Sequence, residues 1–147
     1  MQLNFPDYNF QIKTQNNKNY IFDVIRKKHV VLTPEEWVRQ HTLHYLINNN
    51  YPKGRISVER GLPNSKKRYD AIVYDKSLNP FLLVECKAPS VKISQATLNQ
   101  VTAYIALLNV PHILLTNGLQ HYFISRNKDG LKIVEEIPSF TILSKEI

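Results

Sequence analysis

The clearest periodicity in the chain runs over residues 93–108. Leu98, Val101, Ile105 and Leu108 recur there at three- and four-residue spacing, the pattern of a helix with one buried face, and Asn109 and Pro111 end it. A second helix is marked by its start. Thr33 is a natural N-cap, Pro34 suits the first helical position, and Glu36 follows the cap by three residues. It should run to about Asn48, where Asn48-Asn49-Asn50 and Pro52 stop it. Between and beyond these helices the chain is β-rich. Residues 20–26 alternate weakly and predict a first strand, and 55–62 predict another, followed by a polar turn at Pro63-Asn64-Ser65. Residues 69–74 and 81–87 are apolar runs joined by a turn-forming segment from Asp75 to Pro80. Residues 112–116 read as a buried strand, Asn117-Gly118 as a tight turn, 119–125 as the returning strand and 131–135 as a last one. The order β-α-βββ-α-ββ(β) predicts an α/β sandwich with a mixed sheet. Residues 1–19, rich in Asn and Gln, predict an irregular, mobile arm, leaving 20–147 as a single domain.

With 147 residues, 43 % of them hydrophobic, the chain is long enough to bury roughly 68–70 % of its unfolded surface without staples. Its one cysteine, Cys86, excludes an internal disulfide and a multi-cysteine zinc site, which fits a reducing compartment. No apolar stretch approaches the roughly 18–20 residues of a membrane span, and the first residues carry no secretory pattern, so a cytoplasmic protein without membrane association is expected. Nineteen Lys and Arg against twelve Asp and Glu give a formal charge of +7. Such a surface attracts polyanions, or simply keeps a protein soluble. The cations cluster at Arg26-Lys27-Lys28, at Lys53 with Arg55, and at Lys66-Lys67-Arg68.

Residues 70–87 hold the candidate chemistry. A hairpin folded about the 75–80 turn pairs residues whose numbers sum to about 155, setting Tyr74 opposite Phe81 and Asp70 opposite Glu85 with Cβ atoms about 4.5–5.5 Å apart. Alternation then puts Lys87 on the face of Glu85 and turns Cys86 the other way. Like charges in opposition are destabilising, and a divalent cation held by one or two carboxylates is one reason for them to coexist. Ion pairs of Glu85 with Lys87 and of Asp70 with Arg68 are the bland alternative. Charges closing the apolar Phe81-Leu82-Leu83-Val84 run are expensive unless paired or liganding.

Asp70, fourteen intervening residues, and Glu85-Cys86-Lys87-Ala88-Pro89 together resemble the PD-(D/E)XK nuclease pattern. More narrowly, residues from about 30 to 125 resemble the N-terminal nuclease domain of type I restriction enzyme R subunits, without the helicase motor of the long subunits. Glu36 on the preceding helix and Gln100-Val101-Thr102-Ala103-Tyr104, a QxxxY motif on the following one, extend the likeness; Tyr69 stands where the pattern has proline. The resemblance implies a restriction-endonuclease-like αβββαβ sandwich, a central mixed sheet flanked by helices. It implies Mg²⁺- or Mn²⁺-dependent hydrolysis of DNA phosphodiesters. Asp70, Glu85 and the Cys86 backbone carbonyl would hold the metal, Glu36 would be an accessory acid, and Lys87 would orient the attacking water. Gln100 and Tyr104 would position the strand, and Lys66, Lys67 and Arg68 would hold phosphates. DNA is the implied partner, with a homodimer or a restriction-modification subunit beside it. The alternative is a module of the same fold, weak or inactive in cleavage, kept for nucleic-acid or subunit contact.

Several other residues read as structural. His41 and His44, three apart on a helix, lack an evident third ligand and suit packing at its margin. His112 reads as a satisfied core histidine and Trp37 as a core anchor. Glu59 could replace Glu36 as the third acid, but an ion pair with neighbouring Arg60 is the preferred reading.

Overall fold

The protein's structure, a computed structural model, describes residues 1–63 and 66–144. Helix α1, Pro34–Asn48, begins where Thr33 Oγ1 accepts the Glu36 N–H at 3.0 Å, with proline at the first helical position. Helix α2, Gln95–Leu107, starts two residues later than the apolar period suggests, because Ser94 supplies the cap by accepting the Thr97 N–H at 3.2 Å. Of its stripe, Leu98 and Ile105 are buried, while Val101 and Leu108 lie at the margin.

Nine strands flank these helices among the described residues. The strand expected at 20–26 is the end of β2, Lys18–Asp23. It is the middle of a three-stranded antiparallel meander with β3, Lys28–Val31, and with β1, Ile12–Gln15, which forms inside the stretch 1–19 expected to be irregular. Composition hid it because its strands are short and polar; the turn residues Asn16 and Asn17, at φ 52 and 64, do the folding. After α1 and a single 3-10 turn, Lys53–Arg55, a six-stranded sheet runs in spatial and sequence order. Its members are β4 Ile56–Gly61, β5 Arg68–Tyr74, β6 Pro80–Cys86, β7 His112–Thr116, β8 His121–Asn127 and β9 Gly130–Val134. Only β6 and β7 are parallel, joined by the α2 crossover, so the sheet is mixed as expected. A short helix, α3 Phe140–Ser144, was not foreshadowed by any periodicity. Asn64 and Ser65 of the expected 63–65 turn lie outside the described residues.

The sheet buries both faces. On one, Val38, Leu43 and Leu46 of α1 pack with Ala71, Val73, Leu82, Val84 and Leu114; on the other, Leu98 and Ile105 of α2 pack with Ile72, Leu83, Ile113 and Leu115. Each fully buried Leu, Ile or Val contributes about 1.5–3 kcal/mol relative to exposure, and the continuous apolar runs of β5, β6 and β7 follow from two-sided burial. The first residues close over one end. Asn4 donates to the Gly118 carbonyl at 2.7 Å, His121 Nε2 donates to the Asn4 carbonyl at 2.8 Å, and Leu3 covers Gly118. Gly118 is required there, since its φ is +87° and a Cβ would stand 2.9 Å from the Leu3 methyls. Trp37 is half-buried under this segment, its indole N–H donating to the Met1 carbonyl at 2.9 Å. Among the described residues no helix is long and apolar enough to cross a membrane.

Candidate active site

The hairpin register sums to 155 at Ala71–Val84, Ile72–Leu83 and Val73–Leu82, as the sequence predicts. It slips beyond Val73, so Tyr74 faces Pro80 rather than Phe81: the turn closes with Asp75 N–H donating to the Asn79 carbonyl at 2.9 Å. In the other direction the paired rungs stop at Ala71–Val84, and Asp70 and Glu85 are the next residues of the two strands. There the sheet opens. β4 pairs Val58 with Ala71 and Arg60 with Tyr69, but the rung between, Glu59 with Asp70, is unmade, and Glu59 adopts a left-handed φ of 55°. A non-glycine residue in that region costs on the order of 1–3 kcal/mol and such strain concentrates at functional sites. Asp70 Oδ2 bridges the opening by accepting the Cys86 N–H at 2.7 Å.

Behind Asp70 lies a buried ionic network. Arg39 Nε and Nη2 donate to the two Glu36 carboxylate oxygens, each at 2.9 Å; Nη2 also reaches Glu59 at 3.2 Å and Nη1 reaches Asp70 Oδ1 at 3.4 Å. Arg26 joins Glu36 at 3.0 Å to Asp23 at 2.8 Å, and Gln40 donates to Asp23 and Glu36, both at 2.9 Å. Glu36, expected as an accessory acid, thus has both oxygens filled by the chain's own donors. Burial pushes its carboxyl up, but hydrogen bonds from Arg39 and Gln40 and the two guanidinium charges outweigh burial and hold it below the ordinary range. Glu59 does form ion pairs, but with Arg26 and Arg39, not with the expected Arg60.

Asp70 and Glu85 behave the opposite way. Burial drives both carboxyls up, and Asp70's charge raises Glu85 further. Lys87, just past the end of β6, offsets both, and its own N–H is anchored to the Thr116 carbonyl at 2.8 Å. Glu35, which the sequence reading passed over, raises both as well, so this exposed acid bears on the pair. Spacing alone does not separate the two acids, since Arg39 lies four residues after Glu35 and three after Glu36; the fold pairs it with Glu36. Arg39 itself was missed for want of any pattern naming a cation at that position.

Lys67 Nζ lies 3.8 Å from Glu85 and above two rings, 5.2 Å from Tyr69 and 5.1 Å from Tyr104. Tyr69, standing in for the pattern's proline, therefore supplies a cation–π support. Tyr104 is brought to the same edge; Gln100, one turn earlier, is exposed, as are Lys66 and Arg68. Cys86 is buried against Thr42, away from the acids, and burial raises its thiol well above the usual range. His41 and His44 pack against the rings of Tyr8 and Phe10, and His112 hydrogen-bonds Ser125 at 2.7 Å, so all three are structural.

A family model described as the type I restriction enzyme R protein N terminus matches residues 34–138. Among solved structures, a fragment of an HsdR subunit of a type I restriction enzyme from Vibrio vulnificus YJ016 is similar in fold, with a TM-score of 0.57 and 17 % identity over 78 % of this chain. The matched part is 25 % of that longer chain. No curated protein sequence matches.

Proposed function

Because the chain belongs to the family of type I restriction enzyme R protein N termini, we propose that it hydrolyses DNA phosphodiester bonds with a divalent cation, as a nuclease of the PD-(D/E)XK kind. The observation that carries this reading is the pair of desolvated carboxylates, Asp70 and Glu85, the residues next after the last paired rung, where the sheet opens, with Lys87 acting on both. The donor set suits a hard cation. Asp70, Glu85 and Glu35 bear on the site against Lys67, Lys87 and Arg39, whose guanidinium is shared among Asp70, Glu36 and Glu59. Asp70, Glu85 and the Cys86 carbonyl would hold Mg²⁺ or Mn²⁺, with Glu35 in the accessory role that helix position suggested for Glu36. A cation bound there polarises a phosphoryl oxygen and acidifies a water. Lys87 orients that water and offsets charge developing on the phosphate. Lys66 and Arg68 enter β5 beside Asp70 and hold flanking phosphates, while Lys67, Gln100 and Tyr104 form the edge on which the strand rests. The family relation supports a restriction-modification setting, and DNA and a partner subunit are the partners proposed for it.

A second reading, a binding module without cleavage, is favoured by the chain's own cations against the acids: Arg39 at Asp70 and Lys67 at Glu85. Plasmid and linear-DNA cleavage with Mg²⁺ or Mn²⁺, beside a chelator control, separates the two. Lys87→Ala should keep the fold and metal binding while cleavage falls roughly 10²–10³-fold, the loss of one electrostatic stabiliser. Asp70→Ala should abolish cleavage. Activity surviving in both variants belongs to a contaminant, and an inactive unmodified chain on single-stranded, double-stranded and modified DNA leaves the binding module ahead.

A further inference from the structure

We propose that the outer face of the β1–β3 meander binds single-stranded DNA by base stacking, a surface separate from the acidic site and outside the family-matched residues 34–138. The meander turns Ile21 and Asp23, both 0 % exposed, toward the body of the protein. Alternation along β2 then sends Lys18, Tyr20 and Phe22 to the opposite face. The register adds their neighbours: Lys13 and Val31 flank Tyr20, and His29 lies opposite Phe22, its ring 5.3 Å away in an edge-on contact. A strand face directed to solvent ordinarily carries polar side chains. This one instead carries a central row of half-buried rings, Tyr20, Phe22 and His29, beside lysines at Lys13 and Lys18.

Charge selects the occupant. Residues 11–31 hold five cations and one acid, Asp23. That acid is fully buried and paired with Arg26, so the only charges the meander shows to solvent are positive: Lys13 and Lys18 on the face of the rings, with Lys27 and Lys28 at the β2–β3 turn. Rings on an open sheet face, interleaved with lysines, match the unstacked bases and continuous phosphates of a single strand. A duplex hides its base faces and would engage the lysines alone. The surface is also firmly held. Arg26 ties the meander to Glu36 and Glu59, and Arg39 ties those to Asp70, so a strand laid on the meander is fixed relative to the acidic site.

The test is fluorescence polarisation of a labelled oligo-dT 20-mer and of a labelled duplex, with EDTA present so that cleavage plays no part. The full chain should bind oligo-dT, and Tyr20→Leu with Phe22→Leu, which keeps apolar volume but removes the rings, should weaken that binding at least about tenfold. Duplex affinity should change less than about twofold. Ultraviolet crosslinking of iodouracil-substituted oligo-dT to the unmodified chain needs no variant and should map to the peptide containing Tyr20 and Phe22. Equal oligo-dT affinity in the two proteins, equal losses on single strand and duplex, no binding by the unmodified chain, or crosslinks confined to residues 66–104 would each overturn the proposal. An inactive nuclease that still binds oligo-dT through Tyr20 and Phe22 would sink the cleavage reading and leave this one standing.

Discussion

Two buried and two half-buried carboxylates divide by what faces them. Asp23 and Glu36 are pulled down against burial by hydrogen bonds from guanidinium, amide and backbone N–H groups, which makes them structural anions. Asp70 and Glu85 stay raised, because their hydrogen bonds and cationic neighbours leave burial uncompensated. His112 shows the same physics in the core. Ringed by Phe81 and Phe123, it is lowered by burial to about 4. The folded chain therefore keeps it neutral down to that pH, while the unfolded chain protonates it below about 6.5. Stability it contributes at pH 7 is lost as pH falls through that window, by up to about 1.4 kcal/mol per pH unit. Urea unfolding of the protein and of His112→Phe checks this. The stability difference between them should shift toward the variant by about 1 kcal/mol or more from pH 7 to pH 5; a difference constant with pH would contradict it.

At the scale of elements, the ionic network joins three pieces of chain distant in sequence: the β2–β3 turn through Asp23 and Arg26, α1 through Glu36 and Arg39, and β5 through Asp70. Arg39 is the common member and only 10 % exposed at its side chain. Arg39→Met keeps the packing volume but leaves Glu36, Glu59 and Asp70 short of their cation. It should cost about 3–5 kcal/mol, the price of breaking a buried pair, read from urea unfolding; a loss below about 1 kcal/mol would show the network to be idle. The elements legible in sequence were those with a repeating signal. The Thr33 cap, the α2 stripe and the 155 register were all there to be read, and with them the position of Asp70, Glu85 and Lys87 at the end of the β5–β6 hairpin. What stayed hidden rests on tertiary contacts that no period announces. The meander is built from polar strands around Asn16-Asn17, α3 is five residues long, and the partners of Glu36 and Glu59 come from Arg26 and Arg39, across the fold. Two adjacent acids at a helix start were legible as a pair; which of them pairs with Arg39 was settled by the packing of α1.

Taken whole, the molecule sets two kinds of surface on one framework. The chain carries a net charge of +7, with lysines and arginines clustered on the meander and at the start of β5, while Asp70 and Glu85 sit half-buried at the end of the β5–β6 hairpin. On the proposed reading, the positive clusters gather DNA by its phosphates, and the affinity should fall steeply as salt rises. On the same reading, the site at Asp70 and Glu85 takes a cation before a phosphate approaches it. Calorimetric titration of Mn²⁺ into the protein is the most direct measurement of that binding, since it requires neither DNA nor turnover. The unmodified chain should bind Mn²⁺, and Glu85→Gln should weaken binding at least about tenfold, a loss of about 1.4 kcal/mol, with the thermal midpoint kept or raised as a buried charge is removed. Absence of Mn²⁺ binding by the unmodified chain, or equal binding by Glu85→Gln, would contradict a metal-dependent centre at Asp70 and Glu85.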